Sequence, residues 1–157
     1  MPCAPKGSRY AACGAPPQRP GAASTVACMG LTPGRPDAKD WTQVDAWILA
    51  ATSSAAQGCT LTDLVATADG INHAVPSTAE IADSLAHLIG SGLLLWDGDH
   101  ILLTPAGRAM RRSWRQGLFS WSKALLPRLR TVPRVRGDLP FGDAEIDAAR
   151  AAYLARH

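Results

Sequence analysis

A chain of 157 residues with 46% hydrophobic content can bury one core of modest size and is short for two domains. The formal charge of +3 singles out no partner, and no apolar run approaches the roughly 18 residues of a membrane-spanning helix, so that class is excluded on length. The charge is unevenly placed: residues 1–36 carry Lys6, Arg9, Arg19 and Arg35 with no acid (+4), residues 37–110 carry two bases against nine acids (−7), and residues 111–157 carry ten bases against four acids (+6).

Residues 1–36 hold most of the prolines and glycines without any hydrophobic period and read as a disordered leader. Pro16, Pro17, Gln18, Arg19 and Pro20 interrupt any apolar stretch before it could form a secretion signal. Thr25-Val26-Ala27 lacks the large aliphatic residue expected ahead of a lipoprotein cysteine at Cys28. A cytoplasmic protein is expected. Met29 offers an alternative start that would remove three of the four cysteines. Cys3, Cys13, Cys28 and Cys59 form no C-x-x-C pair and have no histidine cluster nearby, so reduced thiols are expected and a metal site is not.

Order is expected from Asp40, which with Gln43 can cap a first amphipathic helix carrying Val44, Trp47, Ile48 and Ala51. Thr60 with Asp63 caps a second helix faced by Leu61, Leu64, Val65 and Ala68, which Gly70 is expected to end. After a turn over residues 71–76, Ser77 and Glu80 sit at capping-box spacing before a third helix with Ile81, Leu85, Leu88 and Ile89. Trp47, Leu64, Ile81, Leu85 and Leu88 should share one core. Gly90 and Gly92 stop this helix. Leu93 to Trp96 and Asp99 to Leu103 then flank Asp97-Gly98, a dipeptide suited to the positive φ of a tight hairpin.

Thr104 caps a fourth helix with Pro105 in its first turn, and Met110, Trp114, Leu118, Trp121 and Leu125 fall within a stripe roughly 80° wide at about 100° per residue. Pro127 is expected to end this long helix. Residues 128–136 then read as an extended arm with an internal repeat, Pro127-Arg128-Leu129-Arg130 and Pro133-Arg134-Val135-Arg136. Asp143 opens a last helix with Ile146, Ala149, Tyr153 and Leu154 on one side. The expected division is a leader (1–36), a helical domain with hairpin and trailing helix (37–126), a basic arm (127–142) and a C-terminal helix (143–157).

Three helices, a two-stranded wing and a trailing helix follow the order of winged helix-turn-helix domains, and "SGLLLWDGDHILLTPAGRAM" resembles the end of that domain in bacterial regulators of the MarR and PadR kind. Gly92-Leu93-Leu94 matches the Gly-Leu-hydrophobic triplet that ends the recognition helix, and Leu103-Thr104-Pro105-Ala106-Gly107 matches the Leu-Thr-x-x-Gly word leading out of the wing. The likeness covers about residues 40–112 and concerns fold more than activity. It implies a third helix in the DNA major groove and a wing tip along the backbone, both bearing bases or amides. Here the corresponding contact face presents Ser77, Glu80, Asp83, Asp97 and Asp99, and no Lys or Arg occurs between residues 40 and 107. Phosphate contacts need cations or directed N–H donors, so this face suits protein contacts better than a duplex.

The basic counterpart is Arg108, Arg111, Arg112, Arg115 and Lys123 on the trailing helix with Arg128, Arg130, Arg134 and Arg136 on the arm. Nucleic acid, an acidic protein and an anionic membrane surface each suit such a patch, and so does a plain solvated face. A segment of +6 joined directly to a domain of −7 also predicts that arm and domain rest on one another. No Walker, G-x-S-x-G, H-E-x-x-H or G-x-G-x-x-G word occurs, and His73, His87 and His100 lack ligand spacing. The sequence therefore predicts a non-catalytic regulatory module without cofactor, with no small-molecule ligand identifiable, whose partner is a protein or a second copy. DNA contact through residues 108–136 is the alternative, and a membrane-surface adaptor a more distant one.

Overall fold

The computed structural model describes residues 40–112 and 120–156. Within them the chain is mainly helical with one antiparallel hairpin: α1 Gln43–Ala51, α2 Leu61–Asn72, α3 Thr78–Gly90, β1 Leu94–Trp96, β2 Ile101–Leu103, α4 Pro105–Arg111, α5 Trp121–Leu129 and α6 Asp143–Leu154. The leader, with Cys3, Cys13 and Cys28, lies outside the described residues.

The first three helices begin on reciprocal caps. Thr42, Thr60 and Ser77 accept from the N–H three residues on, while Asp45, Asp63 and Glu80 accept from the cap residue's own N–H, so two otherwise orphaned donors are satisfied at each start. For α1 this replaces the expected Asp40–Gln43 pair, since only Thr42 with Asp45 closes both bonds. The expected amphipathic α1 is buried from Asp45 through Ala51, because α5, α3 and α2 all pack around it. The Trp47 indole N–H donates to the Ala68 carbonyl at 3.0 Å, joining α1 to α2. α2 runs past Gly70 to Asn72, and His73 closes it at φ 52°. Buried Ile71 extends its apolar face, and that packing outweighs the roughly 1 kcal/mol helix penalty of a glycine. Trp47, Leu64, Ile81, Leu85 and Leu88 share one core, as their spacing predicts.

In the hairpin Leu94, Leu95 and Trp96 pair with Leu103, Leu102 and Ile101. The loop is Asp97–His100, longer than a two-residue turn. Its Asp97 N–H donates to the His100 carbonyl, and the Asp97 carboxylate accepts from the N–H groups of Asp99 and His100. Cys59 exchanges both backbone hydrogen bonds with Ile101, at 3.0 and 2.8 Å, tying the α1–α2 connection to the hairpin. The Leu-Thr-x-x-Gly word has a local physical cause. Leu103 is buried, and the Thr104 hydroxyl caps Gly107 N–H while donating to the Gly92 and Leu93 carbonyls. Gly107 passes so close to Leu93 that a Cβ would overlap its carbonyl oxygen.

The single trailing helix is replaced by two: α4 stops at Arg111 and α5 begins at Trp121. Residues 113–119 lie outside the described residues, and with them Trp114, Arg115 and Leu118. Pro127 falls inside α5 rather than ending it. Leu125 and Leu129, one turn apart, are both fully buried where α5 lies along α1, and this burial outweighs the missing Pro N–H. α6 packs on α2 and α3 through Ile146, Ala149 and Tyr153. Leu154, expected on that face, is 54% exposed.

Candidate functional site

After α5 the chain turns back across α3 as a strap, residues 132–137. The Trp41 indole N–H donates to the Val132 carbonyl at 2.8 Å, the Ser91 hydroxyl donates to the Pro133 carbonyl and accepts from Val135 N–H at 2.9 Å each, and Gly137 N–H donates to the Ala86 carbonyl at 2.9 Å. The strap lies against bare backbone: a Cβ on Gly90 would come within 2.5 Å of the Val135 oxygen and nearer still to Gly137 N.

Extended backbone places alternate side chains on one face, so Arg134 and Arg136 both turn toward the acids of α1 and α3. Arg134 is buried. Its Nη2 donates to Asp83 Oδ2 at 3.0 Å, its Nε lies 3.5 Å from Asp45 Oδ2, and its guanidinium sits 5.8 Å from the centre of the Trp41 ring. Asp45 is fully buried, so the carboxylate that caps α1 also balances the strap's cation. Arg136 donates to Asp83 Oδ1 at 2.6 Å. Burial works to raise the Asp83 carboxyl, but the Arg136 hydrogen bond and the charges of His87 and Arg134 hold it below its ordinary 3.8.

The start of α3 is covered from the other side by α6. Arg150 donates to the Pro76 carbonyl at 2.9 Å and to the Thr78 hydroxyl at 3.1 Å, Thr78 in turn donates to Asp147, and the Tyr153 hydroxyl donates to Asp69 at 2.6 Å. Donation to a carboxylate favours the neutral phenol and raises the Tyr153 pKa. The expected contact face thus has internal partners at most positions. Ser77 and Glu80 close the cap, which holds the Glu80 carboxyl low through the Ser77 N–H and hydroxyl. Asp83 holds the strap and Asp97 shapes the loop. Asp99 is exposed at the hairpin tip.

The basic set divides in the same way. Arg108 is half-buried and donates to the Ser54 carbonyl at 3.1 Å, and Arg111 is half-buried, with desolvation lowering its pKa. Arg112, Lys123, Arg128 and Arg130 are exposed, and Arg115 lies outside the described residues. Arg134 is buried, and Arg136, although 56% exposed, pairs with Asp83. Their pairing with the acidic domain follows from the segment charges, while the full burial of Asp45 does not: its N3 position marks it as a cap but gives no sign of a distant cation.

A second feature had no sequence signal. Between the start of α2, the hairpin tip and the start of α6 lies an open cleft of about 450 Å³, walled by Thr60, Trp96, Asp99, Phe141, Glu145 and Ala149. The Trp96 and Phe141 rings meet at 4.7 Å and 55°. Cys59 is a buried free thiol whose pKa burial raises. Among the described residues no cluster of His, Cys, Asp or Glu could hold a metal ion, and no helix is long and apolar enough to cross a membrane. Compared with known protein families, curated proteins and solved structures, the chain matches none.

Proposed function

We propose that the chain is a non-catalytic winged-helix module that works in regulation by binding protein. The observation that carries this reading is that α3, which stands where a recognition helix would, is occupied by its own chain: Arg150 at its start, Arg134 and Arg136 on Asp83, and the strap backbone at its end. A duplex approaching this side would meet α6, the strap and the carboxylates of the hairpin tip. The element order and the Thr104–Gly107 junction support the winged-helix assignment. The buried Cys59 thiol suits a reducing, cytoplasmic setting. The alternative, DNA binding through phosphate contacts, draws on exposed Lys123 and Arg128 on α5 and on Arg112 and Arg130 at the C-terminal ends of α4 and α5. A pull-down with the full chain from native lysate, with and without nuclease, separates the two. Partners retained after nuclease support the protein reading, and partners lost with nuclease support the alternative.

A further inference from the structure

The cleft between hairpin and α6 joins two kinds of chemistry. Its floor offers a tilted indole–phenyl pair and its rim two exposed carboxylates, Asp99 and Glu145, and among the described residues no Lys or Arg lines it. Aromatic grooves with acidic rims suit polyproline segments carrying a cation, because proline rings stack on aromatic faces and a pre-set φ reduces the ordering entropy. The chain contains such a segment. Pro17-Gln18-Arg19-Pro20 and Pro33-Gly34-Arg35-Pro36 share the pattern Pro-x-Arg-Pro, inside a leader with four cations and no acid over residues 1–36.

We propose that the Trp96–Phe141 cleft is the docking site of the chain's own Pro17–Pro20 segment. A Pro-x-Arg-Pro word supplies proline rings of a kind that stack on the Trp96–Phe141 pair and a cation that complements Asp99 and Glu145. Reach is ample: the 20 residues from Pro20 to Asp40 span up to about 70 Å, against a radius of gyration of about 13 Å for a 100-residue domain. The tether holds the segment at roughly millimolar effective concentration, so a modest intrinsic affinity suffices. This occupancy does not depend on what the α4–α5 face binds.

The test uses the full chain, ¹⁵N-labelled, with Cys3→Ser and Cys28→Ser, so that a nitroxide attaches at Cys13, four residues before Pro17. Cys59 is protected by burial. The expected result is a severalfold loss of amide intensity at Thr62, Gly98, Asp99 and Ala148, with Arg128 and Arg130 unaffected. Pro17→Ala, Arg19→Glu and Pro20→Ala together should restore the signals. These substitutions lie outside the described fold, so restoration cannot come from unfolding it. Uniform broadening, or cleft broadening that survives the leader substitutions, would overturn the proposal. So would broadening in ¹⁵N chains mixed with separate spin-labelled ones, which would make the occupant a second copy.

Discussion

Pro127-Arg128-Leu129-Arg130 and Pro133-Arg134-Val135-Arg136 are near-identical words that meet opposite fates. In the first, helical geometry turns Leu129 into the core and leaves both arginines exposed; in the second, extended geometry pairs both arginines with Asp83 and buries Arg134 against Asp45 as well, while Arg136 stays exposed. The difference between a period of 3.6 and a period of 2 therefore separates a surface cation from a buried structural one. Residue type and local pattern are the same. Only the neighbouring elements decide which period applies.

The sharpest way to break this comparison is truncation at equivalent positions. Arg134→Ala leaves Asp45 buried without its cation and should destabilise the chain by about 3 to 5 kcal/mol in urea unfolding, whereas Arg128→Ala and Arg130→Ala should stay within about 0.5 kcal/mol. Equal effects would mean that burial does not distinguish the two repeats. The strap's backbone contact gives a second, smaller effect. Gly90→Ala keeps helical geometry but drives a Cβ into the Val135 carbonyl, and overpacking of this kind costs about 1 to 3 kcal/mol. Faster proteolysis within residues 132–140, with α1 to α3 still protected, is the accompanying sign.

How much of this was legible follows from the same contrast. The α2 and α3 caps, the shared core of Trp47, Leu64, Ile81, Leu85 and Leu88, and the hairpin all rest on spacings of a few residues, which sequence displays directly. The start of α1 follows the Thr42–Asp45 cap in place of Asp40–Gln43, whereas in α2 and α5 tertiary burial overrides a local signal: Gly70 and Pro127 sit inside helices because Ile71, Leu125 and Leu129 around them are buried. The charge segments foretold contact between arm and domain, because net charge acts through space without a register. Which arginine would be enclosed, and the meeting of Trp96 with Phe141, depend on residues some 40 to 90 positions apart and left no local trace.

Acid should sharpen the comparison further. Asp83 titrates lower in the folded chain than its unfolded value of about 3.8, so its contribution is complete above that value and is lost as pH falls through the folded one. Its side chain is 51% exposed, which limits the contribution to about 1 kcal/mol or less. The urea midpoint of the full chain should therefore fall more steeply below about pH 4 than that of Asp83→Asn. Parallel curves would show that the Arg136–Asp83 pair contributes nothing measurable. Arg128→Gln with Arg130→Gln, the smallest effect, should leave both curves unchanged.

The most direct test of the central claim, that the α3 side is closed to nucleic acid by its own chain, is a duplex-DNA titration of the ¹⁵N-labelled full chain at two or more salt concentrations. The account predicts no shifts at Ser77, Glu80, Asp83, Asp97 or Asp99, with any weak, salt-sensitive response confined to Arg112, Lys123, Arg128 and Arg130. Saturable shifts across α3 and the hairpin tip at about micromolar DNA, with log K falling steeply as salt rises, would contradict it.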